Sequence, residues 1–382
     1  MATNIIRKKI KVLFVIDYYY SPFGGTEKQL YTLIHNLNKE KFYVELCLLR
    51  RFSFDEDYFN KNPLPCKKNI IKFQKYSRLK DWINLFKLRK YIIKNKFDIV
   101  QLLFNDAALT IPFICAGTGI KTVTCRRDMG FWYTKIKLAI LRINSLFVDM
   151  YLVNSKAVKN NVMENEKVKE TKITVIYNAH DLNQFNLPKL KEFHKKNGIP
   201  ERARIIGIVA NYRPVKRIND IIKAFPDVVN KLPNCYLVLV GDFYDQKRKC
   251  IELAEKLGID NKVRFLGKID NVIPIIKNFS IGVNCSESEG LSNVIIEYMG
   301  CGVPVICSDN PGNRELAGND RAILYPVGNV QSLAGGIVKL LGNEKIRKCL
   351  VANAKRFVKE VFVTEKVIKT YEQFYTNLSL VI

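Results

Sequence analysis

Two patterns of apolar and polar positions recur along the chain. Short runs of consecutive apolar residues predict buried strands of a parallel sheet, and stretches with apolar residues three and four apart predict the helices that cover it. Residues 11–17 read as a first strand, and 27–37 as a helix with Leu30, Leu33, Ile34 and Leu37 on one face. Residues 44–49, 67–71, 97–103, 122–125 and 149–153 read as further strands. A polar, lysine-rich run at 188–200 then breaks the pattern and reads as a linker. Beyond it, strands are expected at 204–210, 236–241, 263–267, 281–283 and 303–307. Helices are expected at 218–229, 247–257, 291–299, 333–341, 345–358 and 364–378. This alternation predicts two doubly wound α/β domains, residues 1–187 and 201–360.

Composition narrows the class. The chain has 382 residues, 48% of them hydrophobic, which suits two globular domains. No apolar run approaches the ~20 residues of a membrane-spanning helix. The amino terminus has a basic lead and a short apolar run, but Asp17 interrupts it and no small-residue cleavage site follows, so it reads as a strand rather than an export signal. Ten cysteines without a C-x-x-C pair suggest reduced thiols in a cytoplasmic protein, with Cys285, Cys301 and Cys307 as small core residues. A net charge of +26 points to nucleic acid, an anionic membrane or an anionic substrate, and a lysine-favouring codon bias explains it equally well. No nucleic-acid recognition module is visible. Residues 79–96 pattern as an amphipathic helix with a cationic face (Lys87, Arg89, Lys90, Lys94). That face suits an anionic lipid surface, although an ordinary sheet-covering helix has the same pattern.

The most informative stretch is 284–309, NCSESEGLSNVIIEYMGCGVPVICSD. Its order is strand, polar loop, helix, glycine stop, strand. A helix start at Gly290, Leu291, Ser292 and Asn293 offers amide groups and a partial positive charge to a phosphate. Glu289 and Glu297 stand eight residues apart, about 12 Å if the whole interval is helical. They could then reach hydroxyls on both sides of a diphosphate, as in a nucleotide sugar. Spacing alone favours the plainer reading, Glu297 as a solvated helix carboxylate and Glu289 as a charge favouring the helix dipole.

The stretch resembles the signature of family 4 glycosyltransferases, the group 1 glycosyltransferases: a Glu-Gly loop, a Glu-x7-Glu pair and then small-Cys-Gly-x-Pro-Val. The resemblance implies the GT-B fold, two facing Rossmann-like domains with a cleft between them, and a last helix, 361–382, returning to the first domain. It implies that Glu297 holds the nucleotide ribose, that Glu289 faces the donor sugar and that the amides between them hold the phosphates. Gly24 and Gly25 resemble the family's Gly-Gly-x-Glu loop near the donor phosphates. The turn at Gly267 matches one that meets the base through backbone atoms. Lys216 falls on a lysine that reaches the diphosphate. The family's arginine position is occupied by Asn211, with Arg213 two residues on. Where much of the family has a histidine facing the reacting sugar, this chain has Arg126, Arg127 and Asp128; Arg127 and Asp128 are the acceptor-side candidates. None of His35, His180 and His194 matches that place.

The implied activity is retaining transfer of a hexosyl group from a nucleotide diphosphate sugar to an acceptor hydroxyl, with no metal and no other cofactor. The expected acceptor is a saccharide or a polyprenyl-diphosphate-linked saccharide in surface polysaccharide synthesis (capsule or O-antigen), met at the inner face of the membrane. Asp55-Glu56-Asp57 looks like a metal-binding Asp-x-Asp but lacks a preceding apolar strand and reads as a solvated loop. The alternatives are a nucleotide-sugar 2-epimerase on the same fold and a degenerate, non-catalytic sugar-nucleotide binder.

Overall fold

The computed structural model describes residues 8–19, 24–50, 60–75, 78–242 and 246–380. The Asp55-Glu56-Asp57 triplet lies outside the described residues. The chain forms two compact units, Met1–Ala179 together with Thr364–Ile382, and His180–Val363.

In the first unit β1 (Ile10–Ile16), β2 (Phe42–Leu48), β3 (Lys67–Ile70), β4 (Ile99–Leu103), β5 (Lys121–Arg126), β6 (Met150–Val153) and β7 (Ile173–Val175) form a parallel sheet in the order β3-β2-β1-β4-β5-β6-β7. β1 is buried from Val12 to Ile16 because strands flank it and helices cover it on both faces, hence its unbroken apolar run. The helix Gly25–Asn36 covers one face with Leu30, Leu33 and Ile34. The helix Thr364–Leu380 adds Val367, Ile368, Tyr371 and Tyr375 to the same core, where the Tyr375 hydroxyl donates to Gln101 Oε1 at 2.6 Å. The helices Leu79–Lys94 and Asn105–Cys115 close the opposite face with Leu85, Leu88, Ile92, Ile111 and Ile114.

In the second unit β8 (Arg204–Val209), β9 (Cys235–Val240), β10 (Val263–Gly267), β11 (Ile281–Asn284), β12 (Val305–Ser308) and β13 (Ile323–Tyr325) form a parallel sheet in the order β10-β9-β8-β11-β12-β13. The helices Ile218–Lys231 and Val330–Gly342 supply Ile221, Ile222, Phe225, Leu333 and Ile337 to its core. Residues 188–200, expected as a linker, carry the short helix Phe193–Lys196 with Phe193 buried. Arg264 donates to the Asn197 and Gly198 carbonyl oxygens behind it.

Each sheet reverses its strand order once, between β1 and β4 and between β8 and β11. Connections leave such a point toward opposite faces, so the carboxyl ends of the two strands border a crevice. The sequence-predicted site residues gather at these two edges.

Candidate active site

At the second reversal, β8 runs into the loop carrying Asn211, Arg213 and Lys216, and β11 into the loop carrying Ser286 and Glu289. The two loops are joined by the Glu287 N–H donating to the Val215 carbonyl at 2.8 Å. Lys216 Nζ lies 2.7 Å from Glu289 Oε1. The Ser286 hydroxyl donates to the same oxygen at 2.7 Å, and Asn284 Nδ2 approaches it at 3.4 Å. Three donors converging on one oxygen fix the carboxylate at the mouth of the loop.

Beneath it lies a buried polar network that the sequence reading missed. Asn284 Nδ2 donates to the Ser292 hydroxyl at 3.2 Å, and Asn284 Oδ1 accepts from the Ser286 N–H at 3.1 Å and from Asn313 Nδ2 at 3.0 Å. Ser308 and Asn310 both donate to the Ser286 carbonyl, at 2.5 and 2.9 Å. Groups this deep must be hydrogen-bonded to be tolerated, and here they tie the loops after β11 and β12 together. Gly312 is required by the same packing. A Cβ there would stand 2.2 Å from the Glu289 carbonyl oxygen.

The helix beyond this loop is Asn293–Cys301, capped at its end by Gly302 with φ +75°. It starts at Asn293, not Leu291, because Ser292 has extended backbone angles. This corrects the spacing argument: Glu289 lies outside the helix, and only Asn293 to Glu297 is helical, about 6 Å of rise. Ser292 stands at the N-cap without a side-chain hydrogen bond to the helix. Gly290, Leu291 and Glu297 are buried.

The neighbouring strand ends complete this edge. Gly267, with φ +75°, accepts from the Gly241 N–H at 2.9 Å, and a Cβ on Gly241 would strike the Ala210 carbonyl oxygen. Asn211 Oδ1 accepts from the Asp242 N–H at 3.2 Å, so Asn211 ties two loops together, while Arg213 is exposed. Burial pushes the Cys285 and Cys301 thiols up to about 12 and keeps them protonated. Cys285 and Cys307 are core residues; Cys301 is only half-buried.

The first unit places Gly24 and Gly25 at the start of the helix Gly25–Asn36, Gly24 being its N-cap. A hollow at the ends of β4 and β5 is lined by Thr26, Asn105, Arg127, Asp128 and Trp132. Arg127 donates to Asn178 Oδ1, and Asp128 accepts from the Gly130 N–H at 2.7 Å. Burial raises the Asp128 carboxyl above its ordinary value.

Arg126 is spent inward. Its guanidinium grips Glu166 with two bonds of 2.7 and 2.9 Å, the Tyr133 hydroxyl donates to Glu166 at 2.5 Å, and both charges are buried. Although burial works against its charge, Glu166 holds Arg126 ionised. Asp17, at the end of β1, accepts from the Asp106 and Ala107 N–H groups at 2.8 and 2.7 Å and so caps the helix Asn105–Cys115. Burial, with Asp106 alongside, raises its carboxyl to about 7. The histidines are engaged elsewhere: His35 bonds the Tyr31 carbonyl, His194 the Ala203 carbonyl, and His180 packs near Phe185 and Phe362. Among the described residues, no three His, Cys, Asp or Glu side chains gather as a metal-binding group. No described helix is long and apolar enough to cross a membrane.

Comparison with known proteins agrees with this arrangement unit by unit. Residues 190–357 match the family described as glycosyl transferases group 1, and residues 23–184 match glycosyltransferase family 4. N-acetyl-alpha-D-glucosaminyl L-malate synthase of Bacillus anthracis is 32% identical over 56% of each chain. The N-acetylgalactosamine-N,N'-diacetylbacillosaminyl-diphospho-undecaprenol 4-alpha-N-acetylgalactosaminyltransferase of Campylobacter jejuni is 25% identical over 87% of this chain and 91% of its own. Anabaena HepE, crystallised with UDP, superposes with a TM-score of 0.83 at 18% identity, over 96% of this chain and 100% of that one. With a Rossmann-like sheet in each unit and a glycosyltransferase family matched by each half, this chain is an enzyme of the group 1 glycosyltransferases with the GT-B fold.

Proposed function

We propose that this enzyme is a retaining transferase moving a hexosyl group from a nucleotide diphosphate sugar to a hydroxyl of a saccharide carried on a polyprenyl diphosphate, in surface polysaccharide synthesis. The observation that carries the proposal is the Lys216–Glu289 pair, 2.7 Å apart at the β8/β11 reversal and adjoining the start of the helix Asn293–Cys301. Negative charge grows on the diphosphate as the bond from the sugar's anomeric carbon to phosphate oxygen breaks. Lys216, Arg213 and the positive end of that helix supply opposite charge there without a metal. A new bond forms between the anomeric carbon and the acceptor oxygen on the same face, and the acceptor's proton passes to the leaving diphosphate.

Glu297 would hold the ribose hydroxyls, and Glu289, steadied by Ser286 and Lys216, would accept from the donor sugar. The backbone at Gly267 would meet the base, and the loop carrying Asn211 and Arg213 would face the diphosphate. In the first unit Gly24 and Gly25 are the donor-side candidates, and Arg127 and Asp128 the acceptor-side ones. The lipid carrier is supported by the Campylobacter relative, whose name specifies a diphospho-undecaprenol acceptor.

The test is thermal stabilisation of wild type and Glu297→Ala against UDP-, GDP- and ADP-sugars. Ligand at a hundred times its dissociation constant adds about 2.7 kcal/mol. The expected outcome is a shift with one nucleotide sugar that Glu297→Ala abolishes. A folded wild type that responds to none of them sinks the proposal.

A further inference from the structure

The first unit carries a surface that donor chemistry does not explain. The helix Lys135–Asn144 buries Leu141 and Asn144, yet Ile136, Ile143 and, just beyond its end, Leu146 are 73%, 60% and 76% exposed. Ile136 and Ile143 are seven residues apart, so they share one outward face. This face continues across two neighbouring helices. Phe113 of Asn105–Cys115 is half exposed and meets Phe147 on one side and Trp82 on the other, at ring separations of 6.5 and 5.9 Å. Trp82 belongs to Leu79–Lys94, where Phe86, one turn along, is also exposed. Single exposed apolar residues need no explanation, but a run of them across three adjacent helices marks an interaction surface.

Its charge identifies the partner. Lys87, Lys90, Lys94 and Lys135 stand exposed on the outer helices, while Arg142 is engaged, donating from Nε and Nη2 to the Asn165 carbonyl. Among the described residues of the three helices, the only acids are Asp81, which is buried and accepts from the Gln74 and Lys75 N–H groups, and Asp106, which is paired with Arg50. Arg89, expected on the cationic face of residues 79–96, is turned aside. It donates to the Ile114 and Ala116 carbonyls at the end of the adjacent helix. Apolar side chains ringed by cations, with no solvent-facing acid, match the interface of an anionic bilayer: the former enter the headgroup boundary and the latter meet lipid phosphates.

We infer that the face formed by Phe86, Phe113, Ile136, Ile143 and Leu146, with Lys87, Lys90 and Lys135, docks this enzyme on an anionic membrane surface. The inference does not rest on the donor site. The experiment is flotation of the full chain with vesicles of phosphatidylglycerol and phosphatidylcholine, against phosphatidylcholine alone. Each basic residue near the surface strengthens partition roughly fivefold, so Lys87→Glu, Lys90→Glu and Lys135→Glu together should lower it by on the order of a hundredfold. Ile143→Ser with Leu146→Ser should lower it roughly tenfold or more. Both sets should leave the thermal melt and the nucleotide-sugar shift unchanged. Binding of wild type to neither vesicle, or binding of both variants like wild type, overturns the inference. So does self-association without vesicles that the same variants abolish, which would make a second copy of the chain the occupant.

Discussion

The two strand-order reversals share a topology and use charge in opposite ways. At the first, the helix following β4 has its amino end capped by Asp17, so the place where a Rossmann-like unit can hold a phosphate is filled by the protein's own carboxyl. The nearby Arg126 is buried against Glu166. At the second, the N-cap residue Ser292 makes no side-chain hydrogen bond to the helix following β11, and Lys216 and Glu289 stand partly exposed beside it. The first arrangement consumes its charges in holding a loop and a helix in place; the second keeps them at the crevice. A duplicated architecture therefore does not imply a duplicated use of charge.

Three substitutions probe that difference. Glu166→Gln, which leaves the Arg126 guanidinium buried without its anion, should have the largest effect, about 3–5 kcal/mol of stability. Denaturant unfolding would measure it, and a loss below about 1 kcal/mol would mean that the pair is not the internal fastening described here.

Asp17 comes next, through pH. Its folded-state carboxyl, raised to about 7 from an ordinary 3.8, holds its proton more tightly than the unfolded chain does. Its stabilising contribution is therefore full below about pH 4 and is lost as pH rises through about 7, roughly 4 kcal/mol in all. Asp17→Asn has no proton to lose, so its stability relative to wild type should climb across that interval. Parallel stability–pH curves for the two proteins would refute the assignment.

Lys216→Met should do the reverse of Glu166→Gln. Transfer should slow by about a hundred- to a thousandfold, while unfolding shifts by no more than about 1 kcal/mol because the pair is partly exposed. A variant that loses stability but keeps its rate would place Lys216 with the internal charges.

The inner strands were legible because a parallel strand covered on both faces is apolar throughout, as in β1 and β9, whereas β7 and β13, three residues each at a sheet edge, were not. Helices with a single buried stripe, such as Ile218–Lys231, were equally plain. Asn105–Cys115 was not: it is buried nearly all round, contains Pro112 and so shows no polar face. Lys135–Asn144 was missed for the opposite reason, since it is apolar on its exposed side as well. At the candidate site, Lys216, Glu289 and Glu297 were singled out through the family resemblance rather than through any local physical signal. Asn284, Ser286, Asn310 and Asn313 were invisible as a set, because asparagine and serine at strand ends read as turn residues. Their mutual bonds exist only once β11 and β12 lie side by side. Asp17 showed itself only as a charge interrupting an apolar run, and nothing local tells that it caps a helix starting nearly ninety residues on.

The chain enters the second unit at His180 and leaves it at Val363, and these two residues are bridged, with the His180 N–H donating to the Phe362 carbonyl at 2.7 Å. The second unit is thus one uninterrupted segment, whereas the first needs the last helix to place Tyr375 against Gln101 and Phe42. During synthesis this inverts the usual amino-terminal-first sequence of events. The later segment can close its core as soon as it emerges, while the earlier one waits with an open flank until the helix Thr364–Leu380 has left the ribosome. A premature stop ahead of Thr364 would release a chain whose second unit is intact and whose first unit never sealed.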